Sequence, residues 1–314
     1  MIILKNISPE HLKFQNAILF VFSKVDHAAA FQLSNFLKNF HHHVIFFDVN
    51  INGDFDLDQL ISFIIKEKEK YKIENIFINY TVVHNETGVV WPLENINIIK
   101  EKTNAKIHVD AVQLVGKVKN WNILNTKADA YTFSGHKFGS LKGVGFTFLK
   151  KNFVTNSYMD GGDQQRGLRS GTLNALGIYS LKLSLEEIIN EFNADELLKS
   201  KIIIEEKIQL IVKNRGKIIA SENSNRNLNT IFLILYNIKS EMIHMKFDLN
   251  RMDISTGSAC SSGIIKPNRV ALAMGFSEVD AKSVVRFSFT PYLNTSMANQ
   301  YALEIEKVLK ILLK

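Results

Sequence analysis

The sequence contains a single cysteine and no apolar run long enough to span a membrane. One cysteine cannot form an internal disulfide, so folding does not depend on oxidation, and a reducing compartment suits the free thiol. The opening residues, MIILKNISPEHLKF, lack the charged, apolar and small-residue order of a secretion signal. We therefore expect a cytoplasmic protein without a membrane partner.

The net charge of +7 is not concentrated in any basic patch with interleaved aromatic residues. The lysines are instead scattered through segments rich in Lys, Asn and Ile, which is typical of a solvated basic surface rather than of a nucleic-acid interface. With 314 residues, 46% of them hydrophobic, the chain is long enough to bury a large core. We expect a globular protein with no nucleic-acid partner.

Short apolar runs alternate with longer amphipathic stretches through the first half of the chain, a pattern that predicts a parallel sheet covered by helices. The predicted fold class is α/β, with a mostly parallel sheet in a large domain followed by a smaller α+β domain. The predicted strands of the sheet are Ala17–Phe22, Val44–Asp48, Ile76–Tyr80, Lys106–Val109, Ala130–Ser134 and Gly145–Leu149.

A long segment with few helix breakers, Leu173 to Lys213, predicts one helix that links the two units. We place the large domain at residues 1–190 and the small domain at 191–314. In the small domain, Thr230–Tyr236 and Val284–Ser288 are predicted strands, and Met297–Leu313 is a predicted closing helix.

The segment HVDAVQ ends an apolar strand with Asp110 and Gln113. In open parallel sheets, ligands lie at the carboxyl ends of the strands, so both side chains are candidates for a binding crevice. The alternative is that Asp110 only caps the next helix.

The segment TFSGHK places Ser134, His136 and Lys137 after the next strand, at the same predicted edge. A lysine there can form a Schiff base if a neighbouring cation or desolvation lowers its pKa. An ordinary surface lysine after a turn is the alternative.

A third segment, GGDQQRGLRSGT at residues 161–172, combines flexible glycines with guanidinium and hydroxyl groups. Main-chain N–H groups in such a loop can approach a phosphate, and the Arg and Thr side chains add hydrogen bonds. A flexible polar surface loop has a similar composition.

The only thiol, Cys260, lies in the segment STGSACSSG, among small residues. Structural cysteines are usually buried in apolar surroundings, so this composition favours a reactive thiol.

In this order, HVDAVQ, TFSGHK, GGDQQRGLRSGT, STGSAC and VVRFS resemble the successive motifs of the cysteine desulfurases. These are the NifS/IscS-type branch of the class V aminotransferases, pyridoxal-phosphate (PLP) enzymes of fold type I. The segment 84–88, HNETG, resembles the family's Asn-Asn-Glu-x-Gly motif, and Asp26-His27 resembles its Glu-His. Several ordered motifs make this resemblance far more specific than any single one.

The resemblance implies that Lys137 holds the PLP cofactor and that Asp110 pairs with its protonated pyridine nitrogen, which keeps the ring an electron sink. It also implies that Gln113 and Asn85 hydrogen-bond on the side of the ring's phenolate oxygen. His27 would stack on the ring and move protons.

Further implied roles concern the phosphate, the substrate and the sulfur. Ser134 and His136 match phosphate-contacting positions, and Thr172 matches a threonine that reaches the cofactor phosphate of the partner subunit, so a homodimer is expected. Arg286 matches the arginine that grips the carboxylate of L-cysteine. Cys260 would attack the substrate sulfur, leaving L-alanine and an enzyme persulfide for a sulfur acceptor or an iron–sulfur scaffold protein.

The family has an N-terminal segment with a Gly-Ala-Thr-Glu-type phosphate loop, and the alignment of this chain begins after it. Without two or three of its hydrogen bonds, we expect cofactor affinity to fall by roughly two to five orders of magnitude. A separately encoded N-terminal fragment could complete the enzyme. The alternatives are a non-catalytic remnant of the fold or a related lyase, such as a selenocysteine lyase.

The run His41-His42-His43 invites a metal-site interpretation. Three consecutive residues of a regular element cannot all face one ion, and no cysteine or carboxylate spacing accompanies them. We predict a solvated helix end and no metal site.

Overall fold

The computed structural model describes residues 17–151, 153, 156–157, 159–256 and 266–314. Two sheets organise these residues: one is six-stranded in the order β2-β1-β3-β4-β5-β6, and the other is four-stranded in the order β7-β8-β10-β9. The strands are β1 Ile18–Ser23, β2 His43–Phe47, β3 Asn75–Thr81, β4 Lys106–Asp110, β5 Ala130–Ser134, β6 Gly145–Leu149, β7 Gly216–Ile218, β8 Thr230–Leu235, β9 Ser255–Thr256 and β10 Val284–Ser288.

Helices connect most of the strands of the first sheet and complete the second unit. They are α1 Ala28–Asn39, α2 Leu57–Tyr71, α3 Glu94–Thr103, α4 Ala175–Glu191, α5 Ala194–Val212, α6 Ser240–Asp248, α7 Arg269–Ala273, α8 Glu278–Ala281 and α9 Thr295–Leu312. Side-chain caps fix several of their starts. Asp56, for example, accepts a hydrogen bond at 2.9 Å from the backbone N–H of Gln59 at the start of α2.

The first sheet is parallel except for β6, which pairs antiparallel with β5 at one end. Every residue of β1 is buried, as expected for a strand covered on both faces. The predicted α/β class and its mostly parallel sheet are confirmed by this topology and by the solved structures described below. The predicted strands of this sheet agree with the observed ones to within a residue at each end.

The second sheet is antiparallel, and α5 and α9 pack on it. One apolar cluster lies between the sheet and these helices, with Ile204, Ile231 and Val308 fully buried in it. A larger cluster covers the first sheet and includes Phe232 and Ile234 of β8. The two sheets therefore share part of one core.

The single helix predicted from Leu173 to Lys213 is wrong. The structure has two helices, α4 and α5, because Phe192 leaves the helical conformation and Asn193 caps the second helix. The Asn193 side chain accepts a hydrogen bond at 3.0 Å from the backbone N–H of Glu196.

The prediction that the histidine run is a solvated helix end holds for His41, which is exposed just after α1, but is wrong for His42. His42 is buried, and its Nδ1 accepts a hydrogen bond at 3.3 Å from the backbone N–H of Ile18. The His42 ring packs edge-on against Phe20, with ring centroids 5.3 Å apart. His43 is the first residue of β2, so the run joins a helix to the sheet.

Candidate active site

Asp110 and Lys137 lie at the same edge of the first sheet. Asp110 is the last residue of β4, and Lys137 lies in the 3-10 helix Gly135–Phe138 that directly follows β5. Because β4 and β5 are parallel neighbours, with Asp110 in register with Thr132, their carboxyl ends open at one crevice. The structure therefore brings both predicted residues to the predicted edge.

The Asp110 side chain is half-buried at this edge. Burial raises its pKa, while a hydrogen bond at 3.0 Å from the backbone N–H of Val112 and the nearby His27 lower it. A buried carboxylate gains most from a cationic partner, and a protonated pyridine nitrogen is such a partner.

The Lys137 side chain is exposed to solvent. Partial desolvation and the charge of Arg286 nevertheless lower the pKa of its amine. Both effects favour the unprotonated amine that attack on a carbonyl requires. The neighbouring cation is Arg286, which belongs to the second sheet.

His27 begins α1, and its Nδ1 accepts a hydrogen bond at 3.2 Å from the backbone N–H of Ala29. His27 is therefore the N-cap residue of this helix. Its ring also lies close enough to Asp110, His84 and Glu86 to influence their pKa values. His27 therefore both caps α1 and lies at the edge of the site.

Ser134 and His136 contact each other at the end of β5, with 2.9 Å between Ser134 Oγ and His136 Nδ1. Desolvation and the charges of Lys137, Lys142 and Lys117 lower the pKa of His136. Several cations thus surround this pair, a setting that favours an anion such as phosphate.

Thr172 lies exposed in the loop before α4, and no hydrogen bond between described residues joins it to Asp110 or Lys137. Within this chain, the structure does not bring it into the crevice by such a contact. Cys260 falls outside the described residues.

Arg286 lines a cavity of about 380 Å³ together with Asn85, Glu86 and Ser255. Its Nη1 donates to the backbone oxygen of Asn85 at 2.8 Å, and its Nη2 donates to Ser255 Oγ at 3.2 Å. The Nε–H of Arg286 is buried and has no hydrogen-bond partner among the described residues. A guanidinium with an unused donor beside a cavity is suited to bind a carboxylate.

Sequence patterns did not identify some of the residues at this edge as site residues. Glu86 lines the cavity, and its carboxylate accepts a hydrogen bond at 2.6 Å from Asn268 Nδ2. Lys117 is buried and donates to Gln113 Oε1. The spacing of Gln113 and Lys117 was the only available signal for that pair, because its burial depends on the tertiary fold.

The donors at this edge fit PLP. Asp110 offers a half-buried carboxylate, Lys137 offers an amine with a lowered pKa, and the Ser134–His136 pair lies among cations. Asp110, Lys137 and the Ser134–His136 pair could therefore hold the pyridine nitrogen, the aldehyde carbon and the phosphate, respectively.

Comparison with known proteins places these observations in a family. Residues 2–298 match the family described as Aminotransferase class-V. A cysteine desulfurase from Nostoc sp. (strain PCC 7120) is 27% identical over 292 residues, which cover 92% of this chain and 69% of that protein. A cysteine desulfurase IscS from Dictyoglomus turgidum is 28% identical over 289 residues, covering 90% and 70%.

Solved structures agree on the fold. The X-ray structure of a NifS-like protein from Rickettsia africae superposes with a TM-score of 0.80 at 24% identity, covering 98% of this chain and 78% of that one. Among the described helices, none combines the length and hydrophobicity that a membrane crossing requires. The predicted resemblance to the cysteine desulfurases is confirmed, and the chain belongs to the class V aminotransferase family of PLP-dependent enzymes.

Proposed function

We propose that this protein is a cysteine desulfurase that converts L-cysteine to L-alanine and leaves the sulfur on the enzyme as a persulfide. One observation carries the proposal. Asp110 ends β4, Lys137 lies in the 3-10 helix directly after the parallel neighbour β5, and Arg286 lies close enough to Lys137 to lower its pKa. The residues that would bind the cofactor and the residue that would bind a carboxylate therefore lie at one edge, as an amino acid substrate requires.

In this proposal, Lys137 binds the PLP aldehyde carbon and Asp110 holds the pyridine nitrogen. Gln113 and Asn85 donate hydrogen bonds on the side of the ring oxygen, and His27 stacks on the ring. When bound, PLP supplies an electron sink for the substrate's α-carbon. When it is not bonded to the cofactor, the Lys137 amine, whose pKa is lowered, would be free to take up the α-proton and return it.

The phosphate site of this proposal consists of Ser134, His136 and a threonine of a second copy of the chain. The Ser134–His136 contact at 2.9 Å and the surrounding lysines support the first part. Thr172 would supply the second part, since it is exposed in the loop before α4.

The substrate carboxylate binds to Arg286, whose Nε–H is unused and whose guanidinium is held by Asn85 and Ser255. The Cys260 thiolate attacks the sulfur of L-cysteine and forms an S–S bond. The substrate C–S bond breaks, and its electron pair remains on carbon, where a proton completes the methyl group of L-alanine. Every sulfur atom and every proton of the two thiols is accounted for in this step, so no external oxidant is needed.

A homodimer is part of the proposal, and an apolar stripe on α4 supports it. Leu176, Tyr179 and Leu183 share one helix face and are 76%, 57% and 48% exposed. Exposed apolar stripes of this kind commonly mark protein interfaces. The stripe lies next to Thr172, so a second copy bound there would meet the residue assigned to its phosphate site.

The remaining proposals concern the setting of the reaction. A sulfur acceptor or iron–sulfur scaffold protein would receive the persulfide, and a reducing compartment such as the cytoplasm would keep Cys260 a free thiol. We also propose the domain division 1–190 and 191–314. The second sheet supports it, because one apolar cluster is built entirely from residues of the later segment.

The direct test is release of L-alanine from L-cysteine by the purified protein with added PLP, compared with Cys260→Ala. We expect alanine formation by the wild type and its loss in the variant, together with loss of protein-bound persulfide. Equal alanine release by both would exclude the persulfide mechanism. Activity on selenocysteine but not on cysteine would reassign the substrate.

A further inference from the structure

Lys117 is a buried lysine directly behind the proposed cofactor site. It lies in the turn segment after β4, is only 7% exposed, and donates a hydrogen bond from Nζ to Gln113 Oε1. Burial is the main cause that lowers the pKa of Lys117 to about 7, and the positive charges of Lys137 and Arg286 lower it further. Lys117 therefore interacts electrostatically with residues of the proposed site. The proposed mechanism does not yet use this residue.

The amine of Lys117 is directed at an amide rather than at a carboxylate. No ion pair between described residues includes Lys117, whereas the buried Lys201 has Glu205 at 3.7 Å. A buried amine without an anionic partner costs free energy, so its position calls for a role that an apolar residue could not fill.

Main-chain contacts hold the turn around Lys117 in place. The carbonyl oxygen of Lys117 accepts a hydrogen bond at 2.8 Å from the backbone N–H of Leu228, which ties this turn to the second unit. The preceding Gly116 has φ of +67°, and a Cβ there would lie 2.7 Å from Cδ1 of Ile188. The turn therefore packs closely against α4, which fixes the main-chain position from which the Lys117 side chain reaches Gln113.

The contact determines which way the Gln113 amide faces. Both the ammonium and the neutral amine of lysine carry N–H donors, so either state pairs with the carbonyl oxygen of an amide. With Oε1 occupied by Lys117, the Nε2 group of Gln113 remains available to donate elsewhere. A negatively polarised ring oxygen needs such a donor, whereas an amide turned the other way would place its own oxygen there.

We propose that Lys117 is a positioning residue that orients the Gln113 amide, so that its N–H donors face the ring oxygen of bound PLP. The inference rests on the proposed function, because it assigns a purpose to Gln113 only when PLP occupies the crevice. Lys117 itself need not touch the cofactor.

The test compares Lys117→Met with Lys119→Met, both titrated with PLP. Methionine keeps most of the apolar stem and removes the donor, while Lys119 is an exposed residue paired with Asp195 on the surface. For Lys117→Met we expect a shifted visible absorption maximum of bound PLP and roughly threefold to tenfold weaker PLP binding, the effect of one hydrogen bond. Lys119→Met should match the wild type in both measurements.

A double variant separates positioning from general damage. Gln113→Ala alone should shift the spectrum in the same direction, and adding Lys117→Met should change it no further, because the two residues act through one bond. Gln113→Glu keeps an acceptor for Lys117 but lacks the N–H donor, so its spectrum should also shift. This variant provides a second test if Lys117→Met does not fold.

The outcomes distinguish this inference from the proposed function. A wild-type spectrum in Lys117→Met, a wild-type spectrum in Gln113→Glu, or effects that add fully in the double variant would each overturn the role of Lys117 while leaving PLP binding intact. Absence of a PLP band in the wild type would overturn the proposed function and this inference together.

Discussion

Arg286 donates a hydrogen bond from Nη1 to the backbone oxygen of Asn85 at 2.8 Å. Arg286 belongs to β10 of the second sheet, whereas Asn85 lies in the loop that follows β3 of the first. The bond therefore joins the two sheets at the cavity. A second bond, from Nη2 to Ser255 Oγ at 3.2 Å, connects the same guanidinium to β9, the strand that precedes Cys260 in the chain.

Replacing Arg286 by Lys should weaken substrate binding. Lysine keeps the charge but cannot hold Asn85 and Ser255 while presenting a planar fork to a carboxylate. We expect the KM for L-cysteine to rise roughly tenfold to hundredfold, as for loss of a charge-assisted hydrogen bond. Steady-state kinetics beside the exposed Arg251→Lys variant would measure this. An unchanged KM would remove Arg286 from the substrate site.

Glu205 and Arg226 form a buried bidentate pair, with N–O distances of 2.7 and 2.8 Å. Arg226→Met would leave the buried Glu205 carboxylate with Lys201, at 3.7 Å, as its one remaining ion-pair partner among the described residues, so the free energy of unfolding should fall by about 3 kcal/mol. The exposed pair of Lys307 and Glu304 provides the control, and Lys307→Met should change stability little. If Arg226→Met and Lys307→Met lowered the free energy of urea unfolding equally, the stabilising role of the buried pair would be contradicted.

Asp26 makes stability depend on pH in an unusual direction. Burial raises its pKa from 3.8 to about 6, although hydrogen bonds from Asn79, Thr81 and Ser23 oppose the shift. Folding therefore favours the protonated carboxyl, whose contribution is complete below pH 3.8 and is lost as the pH rises to about 6.

The variant Asp26→Asn cannot lose a proton in this range. Its free energy of unfolding should accordingly decline less between pH 4 and pH 6 than that of the wild type, as measured by urea unfolding at each pH. A variant that retains the full wild-type pH dependence would show that another group is responsible.

The apolar stripe of α4 predicts a dimer that a single charge should disrupt. Leu176→Asp places a carboxylate in the proposed interface, whereas Leu303→Asp places one on an exposed position of α9. Light scattering should give twice the 35.7 kDa chain mass for the wild type and for Leu303→Asp, and a single chain mass for Leu176→Asp. A monomeric wild type, or a dimeric Leu176→Asp, would contradict this interface.

Much of the first sheet could be predicted from the sequence, because its strands are short apolar runs separated by capped helices. The break between α4 and α5 was missed, although Asn193 followed by Glu196 carries a helix-start signal. Helical periodicity on both sides of Asn193 concealed the break. His42 was misjudged for another reason, since its burial comes from contact with Ile18 and Phe20 of a different strand.

In the candidate site, too, some residues could be predicted from the sequence and others could not. Asp110 and Lys137 could be located from the sequence because the ends of parallel strands meet at one edge. The link from Arg286 to Asn85 and the burial of Lys117 could not, because each depends on how the second unit packs against the first. Residues that act through such contacts leave no periodic signal in the chain.

The central claim is that Asp110, at the end of β4, and Lys137, just after β5, together hold PLP. The most direct measurement is the visible absorption spectrum of the purified protein titrated with PLP, for the wild type, Lys137→Ala and Asp110→Asn. The account predicts a protein-bound band in the wild type, its loss in Lys137→Ala, and a shifted, weaker band in Asp110→Asn. Identical spectra for all three proteins would contradict it.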